Sequence, residues 1–358
     1  MNKALAALLR TYPLPPEWGR ISVLEDSLPF GEWRLHRRGL SFEEEDRTHL
    51  AGSAAWLENP QSSAGISAAK EARLKITERA FFELLERAHL WERLQRCVTE
   101  PHAEFPLLNR GGKKVSSVAC EKVFPGPNTI ETNWVYSKSN GVALHCSLTN
   151  AINSAGFELL ERDRFLRFWY GRQAPRRLPA SIIHWPGVLA EKFDLAAYHF
   201  GDDNDLKQGL AVVGIFGFPR AADLPLLLGW GARAHLKEAC EKAMDEVYQR
   251  LAFLIEEPLL SELPSVRASP TFHLDYYHCP HSWSYLKQWL LGALDPMEVP
   301  SLAPQWSDLQ FVQLMADANQ NIHLIKALSD HALKLTFGSD YRPFDQSLTP
   351  PIPAHPIA

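Results

Sequence analysis

Length, composition and charge are those of a globular protein with one large domain or two ordinary ones. The chain has 358 residues, of which 46% are hydrophobic and 22% are charged. The formal net charge is −5, so no overall positive field points to a nucleic acid or an anionic membrane as the main partner. Residues 1–10 contain too few apolar residues for a signal sequence, and the most apolar segment, 210–230, is interrupted by prolines and charges.

The cysteines predict neither a disulfide framework nor a structural zinc site. Their number is odd and none forms a C-x-x-C pair; they are Cys97, Cys120, Cys146, Cys240 and Cys279. The run His-Cys-Pro-His at 278–281 has the wrong spacing for a closed zinc site. We therefore expect a reducing, cytoplasmic setting.

The first hundred residues predict one long helix after a mixed N-terminal region. Residues 32–40 are interpreted as an edge strand, and the acidic run 43–46 as the exposed start of a helix. Residues 62–65 predict a loop, with Ser67 as the N-cap of a helix over 68–97. Apolar residues give that helix one hydrophobic side: Leu84, Leu85, Ala88, Trp91 and Leu94.

The middle of the chain predicts strands followed by a second helix. Residues 105–136 indicate strands, with a hairpin signal at 109–112 (Asn-Arg-Gly-Gly) and β structure over 115–123. A tight turn at 139–141 leads to Ser147, the predicted cap of a helix that ends near residue 170.

Fewer elements are predicted in the C-terminal half. The segments 181–185, 210–218 and 322–335 predict strands, and residues 234–254 predict a third helix. The last nine residues contain four prolines and predict an extended, polyproline-like tail.

The hexapeptide Phe-Glu-Leu-Leu-Glu-Arg occurs twice, at 82–87 and at 157–162. In each copy, two glutamates three residues apart lie on one helical face and can aim both carboxylates at one point. A single copy is typical of a solvent-exposed face with an ion pair between Glu83 and Arg87, and two copies also fit two merely homologous helices. Four carboxylates and two arginines would suit magnesium ions and the phosphates that they bridge, which predicts a nucleotide-binding protein.

Four segments, in order, carry a resemblance to the YcaO family. Residues 139–163 resemble its Ser-Asn-Gly turn, capped helix and Glu-x-x-Glu-Arg-Asp ending. The first hexapeptide, preceded by Ser-Ala-Gly at 63–65, is similar to the family's earlier nucleotide-binding helix. Residues 242–250 are similar to its later R-A-x-x-E-x-x-Q-x-R element, and 353–358 resemble the C-terminus of azole-forming members. The resemblance covers most of residues 60–358.

This resemblance implies an α+β, YcaO-like fold with mixed or antiparallel sheets, long helices and an internal αβ pseudo-duplication. It implies an ATP- and Mg²⁺-dependent enzyme that activates a backbone amide of a ribosomal precursor peptide. In azoline-forming members a Cys, Ser or Thr side chain of the peptide attacks the preceding carbonyl. ATP phosphorylates the resulting hemiorthoamide oxygen, and loss of phosphate leaves a thiazoline or oxazoline.

Site residues follow from the same resemblance. The metal ligands would be Glu83, Glu86, Glu158 and Glu161. Nucleotide contacts would come from Ser139, Ala143, Ser147, Arg87, Arg162, Lys242, Gln249 and Arg250. Four tail residues would serve cyclisation more than ATP binding: Pro351, Pro353, Pro356 and Ala358.

The chain departs from the family pattern at three points. Ile66 stands where a lysine is common, Asn150 where a glutamate is common, and Lys242 where an arginine is usual. These changes bear on the nucleotide contacts, whereas all four glutamates are present.

We expect three parts: an N-terminal extension (1–60), a catalytic domain (61–345) and a proline-rich tail (346–358) that reaches the active site. Residues 1–60 lack a recognisable peptide-binding module. A separate leader-binding partner of the E1-like or ocin-ThiF type is therefore expected, and a homodimer is a further hypothesis.

Two alternatives stay open. A thioamide- or amidine-forming enzyme of the same fold would use an external sulfide or an internal amine as the nucleophile. A non-catalytic scaffold would keep the fold and bind substrate or partner, but its signature, loss of the clustered glutamates, is not seen.

Overall fold

A computed structural model shows the α+β architecture that the sequence predicts. It describes residues 3–14, 20–44, 47–58, 63–124, 134–183, 185, 187–299, 302–338 and 353–357. Within these ranges every strand pairing is antiparallel. No helix in the described part of the chain is long and apolar enough to cross a membrane.

Helices and strands are interspersed along the chain. The first half contains α1 (Lys3–Thr11), β1 (Arg20–Phe30), β2 (Trp33–Glu44), β3 (Arg47–Glu58), α2 (Ser63–Thr99), β4 (Glu104–Leu108), β5 (Lys114–Ala119), α3 (Cys120–Val123), β6 (Trp134–Tyr136), β7 (Val142–His145), α4 (Leu148–Tyr170) and β8 (Arg176–Arg177). The second half contains α5 (Gly187–Lys192), β9 (Phe193–His199), α6 (Asp203–Lys207), β10 (Ala211–Pro219), β11 (Leu227–Arg233), α7 (Leu236–Leu254), α8 (Pro270–His278), α9 (Trp283–Leu290), β12 (Gln310–Asp317), β13 (Ile322–Leu328) and β14 (Thr336–Gly338). Three short 3-10 helices lie at Ala180–Ile182, Pro280–Ser282 and Trp306–Asp308.

The described strands form four sheets. Their strand orders are β1-β2-β3, β11-β10-β9-β8, β5-β4-β12-β13-β7 and β14-β6. In the five-stranded sheet, β7 and β5 are the two outer strands. The outer edge of β7 matters most for the site, because an outer strand presents backbone N–H groups that need acceptors.

The two hexapeptide helices pack on opposite faces of this five-stranded sheet. Side chains alternate along β7, so that Val142 and Leu144 join the core beneath α2, whereas Ala143 joins the core beneath α4. Leu85 of α2 and Leu160 of α4 are both fully buried in those cores. The two copies of the repeat therefore approach the edge of β7 from the two sides of the sheet.

The turn before β7 fixes the start of α4. Gly141 has a φ of +70°, and a Cβ there would lie 3.2 Å from the Ala327 carbonyl oxygen and 3.2 Å from Leu159 Cβ. Ser147 is the N-cap of α4, and its hydroxyl accepts a hydrogen bond from the Asn150 N–H at 3.5 Å. The predicted turn and cap are confirmed.

Helix α7 packs very closely on β11 because β11 contains two glycines. A Cβ at Gly229 would overlap the Ala243 carbonyl oxygen, and one at Gly231 would overlap the Ala239 carbonyl oxygen. This close approach brings Lys242 and Glu246 of α7 to the same cavity as the hexapeptides.

Most predicted elements are confirmed, with shifted ends. The long first helix starts at Ser63, so residues 63–65 are helical rather than a loop. The second strand of the predicted hairpin ends at Ala119, and a short helix follows it. The last predicted strand ends at Leu328, because side chains of α4 hold the following residues as a loop.

Three local predictions are wrong. β2 lies between β1 and β3 and is not an edge strand. Glu43 and Glu44 belong to β2, because pairing on both sides outweighs the local acidic signal, while residues 45 and 46 lie outside the described ranges. Residues 180–182 form a 3-10 turn rather than a strand. Ile182 and Ile183 are partly buried there and pack against the hydrophobic core that includes residues of β9 and α7.

The expectation that the cysteines form no disulfide is also wrong. Cys97 at the end of α2 and Cys120 in α3 are disulfide-bonded, with Cα atoms 5.5 Å apart. The long helix and the β4–β5 hairpin bring together two residues that are 23 positions apart in sequence, which spacing alone did not reveal. The three-part division of the chain stays a prediction, because residues 59–62 and 339–352 lie outside the described ranges.

We expect Gly229→Ala to lower the free energy of unfolding by about 1–3 kcal/mol, because the added methyl group overpacks the β11–α7 contact. Gly187→Ala is the matched control, since a Cβ at Gly187 meets nothing within 4 Å. Thermal unfolding of both variants measures the difference. Equal stability of the two variants would contradict the close packing.

Candidate active site

A cavity of about 1130 Å³ lies at the outer edge of β7, where α2, α4 and α7 meet. The residues that line it include Glu83, Glu86, Arg87, Ser139, Glu158, Arg162, Lys242 and Gln249, all of them predicted. The sequence-based grouping of both hexapeptides with the third helix and the Ser-Asn-Gly turn therefore corresponds to one cavity.

Two glutamates, one from each hexapeptide, accept hydrogen bonds from backbone N–H groups of β7 and of the turn that leads into it. The Leu144 N–H donates to Glu86 Oε2 at 3.0 Å, and the Gly141 N–H donates to Glu158 Oε1 at 3.3 Å. The two carboxylates satisfy backbone groups that the sheet leaves open, and they also face the cavity.

Burial makes this pair of carboxylates electrostatically unfavourable. Desolvation, the charge of Glu158 and the charge of Glu83 raise the pKa of Glu86 to about 8, against the Leu144 hydrogen bond. Burial also raises the pKa of Glu158, although the Arg162 and Lys242 charges oppose the shift. Such a site favours a bound cation, because a cation would stabilise both ionised carboxylates.

Glu161, the second glutamate of the second copy, has a different environment. It is fully buried, and its carboxylate lies 3.0 Å from Lys242 Nζ and 3.6 Å from Arg162 Nε. Burial acts to raise the pKa of Glu161, but Lys242 and Arg162 outweigh it and lower the pKa. Glu161 does not line the cavity. It lies behind the cavity wall, where it forms ion pairs with Lys242 and Arg162.

Glu83 and Arg87 form the ion pair that a single hexapeptide predicts. Arg87 Nη2 lies 2.6 Å from Glu83 Oε1, and both side chains are partly exposed at the cavity rim. Gln249 also lines the cavity, and its amide donates to the Ser53 carbonyl oxygen of β3 at 2.7 Å.

Three predicted nucleotide residues do not line the cavity. Ala143 lies in the core under α4, and Ser147 caps that helix. The Arg250 guanidinium donates to the Leu226 carbonyl oxygen at 3.3 Å, and burial lowers the pKa of Arg250 to about 10. Some residues that match the family's motifs therefore stabilise the fold around the cavity and do not line the cavity itself.

The described part of the tail, residues 353–357, lies next to the cavity. Trp169 Nε1 donates to the Pro353 carbonyl oxygen at 3.3 Å, and the Tyr277 hydroxyl donates to the Ala354 carbonyl oxygen at 2.6 Å. Pro356 is buried, and Ile357 is buried and lines the cavity. Pro351 and Ala358 lie outside the described residues.

Several residues of the site were not predicted. Glu246 accepts the Trp230 N–H at 2.9 Å, lies 3.6 Å from Lys242 Nζ and lines the cavity. Its i,i+4 spacing from Lys242 was visible in the third helix. Arg233 of β11 and Lys326 of β13 are far in sequence from the two hexapeptides. In the sequence, only the presence of a basic residue in an otherwise apolar strand could have indicated them.

Lys326 holds the turn that precedes β7. Its buried ammonium group donates to the Lys138 carbonyl oxygen at 3.0 Å and to the Asn140 carbonyl oxygen at 2.7 Å. Burial lowers the pKa of Lys326 to about 8, although the charge of Glu158 opposes the shift. These bonds fix the Ser-Asn-Gly turn whose glycine N–H binds Glu158.

The residues fit a bound Mg²⁺ and polyphosphate in chemistry. The described side chains contain no preformed group of three or more metal-ligating residues, so the protein alone does not form a closed metal cage. Mg²⁺ characteristically uses one or two carboxylates together with phosphate oxygens and water. Among the described side chains, Arg162 Nη1 and Glu161 Oε1 are buried without a hydrogen-bond partner, which leaves a cationic donor near the carboxylates.

Comparison with known proteins identifies the family. The model of the family described as YcaO cyclodehydratase, ATP- and Mg²⁺-binding, matches residues 118–319, more than half of the chain. The chain therefore belongs to the YcaO family, as its motifs predicted. ATP and Mg²⁺, the predicted cofactors, are those of the family description.

Solved structures agree with this assignment of the fold. YcaO from Methanopyrus kandleri bound with AMPPCP and Mg²⁺ is 17% identical, with a TM-score of 0.52 over 91% of this chain and 90% of that one. A chain of the E. coli microcin synthetase McbBCD complex is 13% identical, with a TM-score of 0.53 over 86% and 87%. A heterocyclase in complex with substrate and cofactor is 15% identical, with a TM-score of 0.54 over 90% of this chain but only 51% of that one. No curated protein shows significant sequence similarity.

Glu86→Gln tests whether the ionised Glu86 carboxylate destabilises the ligand-free protein. The pKa of Glu86 is raised from 4.5 to about 8, so the wild type is stabilised below pH 4.5 and loses that contribution as the pH rises through 8. The neutral glutamine avoids this loss, so the variant should unfold at a higher temperature than the wild type at pH 9 and at a similar one at pH 4.5. The scale is ~1.4 kcal/mol per pKa unit.

The control for that experiment is Glu83→Gln, whose carboxylate is partly exposed and paired with Arg87. Its effect should stay below about 1 kcal/mol at both pH values. A Glu86→Gln variant that is no more stable than the wild type at pH 9 would contradict the assignment.

Glu161→Gln should have the opposite sign. It removes the nearest counter-charge of the partly buried cations Lys242 and Arg162, while Glu246 still lies 3.6 Å from Lys242 Nζ, so the expected loss is about 1–3 kcal/mol, below the range for a fully buried pair. Unfolding experiments should show a loss of this order, with Glu191→Gln, an exposed residue of α5, as the neutral control. An unchanged free energy of unfolding would contradict the stabilisation of Lys242 and Arg162 by Glu161.

Proposed function

We propose that this chain binds ATP and Mg²⁺ in the cavity at the edge of β7 and uses them to cyclodehydrate a ribosomal precursor peptide. The observation that supports the proposal most strongly is the meeting of Glu86 and Glu158. They come from two copies of one motif, lie on opposite faces of a sheet, and meet, partly buried, as an unfavourable pair at one cavity. A purely structural role would not require two repelling carboxylates there.

In this proposal each predicted group has a distinct role. Glu86 and Glu158 hold Mg²⁺, with Glu83 at the rim as a further ligand, and Glu161 stabilises Lys242 and Arg162. Arg162, Lys242, Arg87 and Ser139 face the cavity and contact the phosphates. The remaining candidates, Ala143, Ser147 and Arg250, act by shaping the wall.

ATP supplies the phosphoryl group that makes the amide oxygen of the peptide a leaving group. A Cys, Ser or Thr side chain of the peptide forms the bond to the preceding carbonyl carbon, and the C–O bond breaks with release of phosphate. The net change is loss of one water from the peptide and conversion of ATP to ADP and phosphate. The protein's task is to neutralise phosphate charge and to orient the amide.

The tail completes the active site in this proposal. Its carbonyl oxygens are held by Trp169 and Tyr277, and its buried Ile357 lines the cavity. Pro353 and Pro356 would set the position of the end of the tail, and Pro351 and Ala358 stay predicted contributors to the same role. The tail would thus serve cyclisation more than nucleotide binding.

A partner protein would deliver the peptide. The similar E. coli chain belongs to the McbBCD complex, which has also been observed with pro-MccB17 bound. We propose by analogy that an E1-like or ocin-ThiF-type partner recognises the leader of the precursor, in the cytoplasm. A homodimer remains a separate hypothesis about the assembly.

We expect Glu86→Gln and Glu158→Gln each to weaken binding of an ATP analogue with Mg²⁺ by at least about tenfold, or ~1.4 kcal/mol. Calorimetry measures the affinity, with Glu191→Gln as the control. Mass spectrometry of a co-expressed precursor should show the loss of one water per ring in the wild type only. Exchange of oxygen for sulfur would instead identify a thioamide-forming enzyme, and unchanged nucleotide affinity would defeat the magnesium assignment.

Tail function can be separated from nucleotide binding by two variants. Deletion of residues 351–358 should abolish ring formation, while affinity for the ATP analogue stays within about threefold, less than ~1 kcal/mol. Tyr277→Phe removes only the hydroxyl that binds the Ala354 carbonyl oxygen, and it should slow ring formation with the same nucleotide affinity. Tyr198→Phe, in the sheet of β9, is the control. Equal ring formation by the full-length and truncated proteins would contradict the role of the tail.

A further inference from the structure

A second cavity of about 760 Å³ adjoins the candidate active site. Both cavities are lined by the same five residues: Tyr136, Ser137, Lys138, Asn140 and Leu335. These residues therefore form a wall that one cavity shares with the other. A group bound in the second cavity would lie directly across this wall from Glu158 and Arg162.

The floor of the second cavity crosses the five-stranded sheet. It starts at Lys326 of β13, continues over Gln310 of β12 and Leu107 of β4, and reaches Val118 of β5. The pairings of Val312 with Lys326 and with Leu107 keep this row on the α2 face of the sheet. Three interstrand spacings give the floor a length of about 14 Å, enough for roughly four extended residues.

The outer end of the floor is the free edge of the sheet. In the described part of the chain, β5 pairs with β4 alone, and its first four residues are exposed. An outer strand carries backbone N–H and C=O groups that an extended peptide can bind. The cavity thus leads from a strand edge that can bind peptide to the wall shared with the carboxylates.

The walls are held by buried bonds. The Lys326 ammonium group binds two carbonyl oxygens of the shared wall. On the opposite side, Asp163 accepts the Leu333 N–H at 2.8 Å, and Arg167 donates to the His331 carbonyl oxygen at 2.7 Å. The cavity is therefore formed before any ligand arrives, which lowers the entropic cost of binding.

The described part of the lining carries an excess of positive charge. In it, four lysines face two aspartates: Lys122, Lys138, Lys326 and Lys334 against Asp308 and Asp330. Leucines and Phe124 supply apolar surface between them. This combination favours an extended peptide segment that carries acidic side chains near its reacting residue.

We infer that the second cavity binds the segment of the substrate peptide next to the residue to be cyclised, and that it prefers acidic side chains in this segment. The inference rests on the proposed function, since the reacting amide must itself reach the nucleotide in the first cavity while the neighbouring segment lies in the second. It adds a location and a charge preference for the peptide.

Photo-crosslinking tests this location without turnover. The probes are two synthetic hexapeptides with a central cysteine and a benzophenone amino acid, one with aspartates flanking the cysteine and one with lysines. Mass spectrometry of the full chain should find the acidic probe attached to the floor, at residues such as Leu107 or Gln310. The lysine probe should label it at least about tenfold less, and an ATP analogue with Mg²⁺ should not compete.

Two variants sharpen the test. Gln310→Trp fills the middle of the floor and should cut labelling at least about tenfold with unchanged affinity for the ATP analogue, whereas Ser261→Trp, on an exposed loop, should leave both unchanged. Combined Lys122→Glu and Lys334→Glu should reverse the preference between the probes. Labelling elsewhere, no labelling, competition by the ATP analogue, or an unaltered charge preference would overturn the inference. Floor labelling by a protein that forms no rings would instead contradict the proposed function alone.

Discussion

The outer edge of β7 is the constraint on which the site depends. A strand at the edge of a sheet has N–H groups without strand partners; here Glu86 accepts the Leu144 N–H of β7, and Glu158 accepts the Gly141 N–H of the turn that leads into it. The same two carboxylates are partly buried, and their charges are close enough to repel each other. The fold thus places negative charge where it is stable only with a cation, and this links the architecture of the sheet to the chemistry of the cavity.

Two identical hexapeptides acquire different roles because they approach this edge from opposite faces. In the first copy the second glutamate binds the backbone of β7, and in the second copy the first glutamate binds the backbone of the turn before it. The remaining glutamates differ as well: Glu83 pairs with Arg87 at the rim, whereas Glu161 is buried against Lys242. Sequence identity of a motif therefore does not give equivalence of its side chains.

Much of the fold and the grouping of the site could be predicted from the sequence. Helical periodicity, the Ser147 cap and the Gly141 turn are local signals, and they located α4 and the turn before β7. Long-range pairing could not be predicted in this way. The central position of β2, the Cys97–Cys120 bond and the arrival of Lys326 at the turn all depend on which strands become neighbours. Whether Arg250 reaches the cavity depends in turn on which face of α7 is directed toward the cavity.

Proton release on binding tests the central claim most directly. Calorimetric titration of an ATP analogue with Mg²⁺ at pH 7, in buffers of different ionisation enthalpy, counts the protons released. Because the pKa of Glu86 is about 8 without ligand, a cation held by that carboxylate must displace its proton. We predict that the wild type releases about one proton more than Glu86→Gln. Equal proton release by the two proteins, with binding intact, would contradict the account.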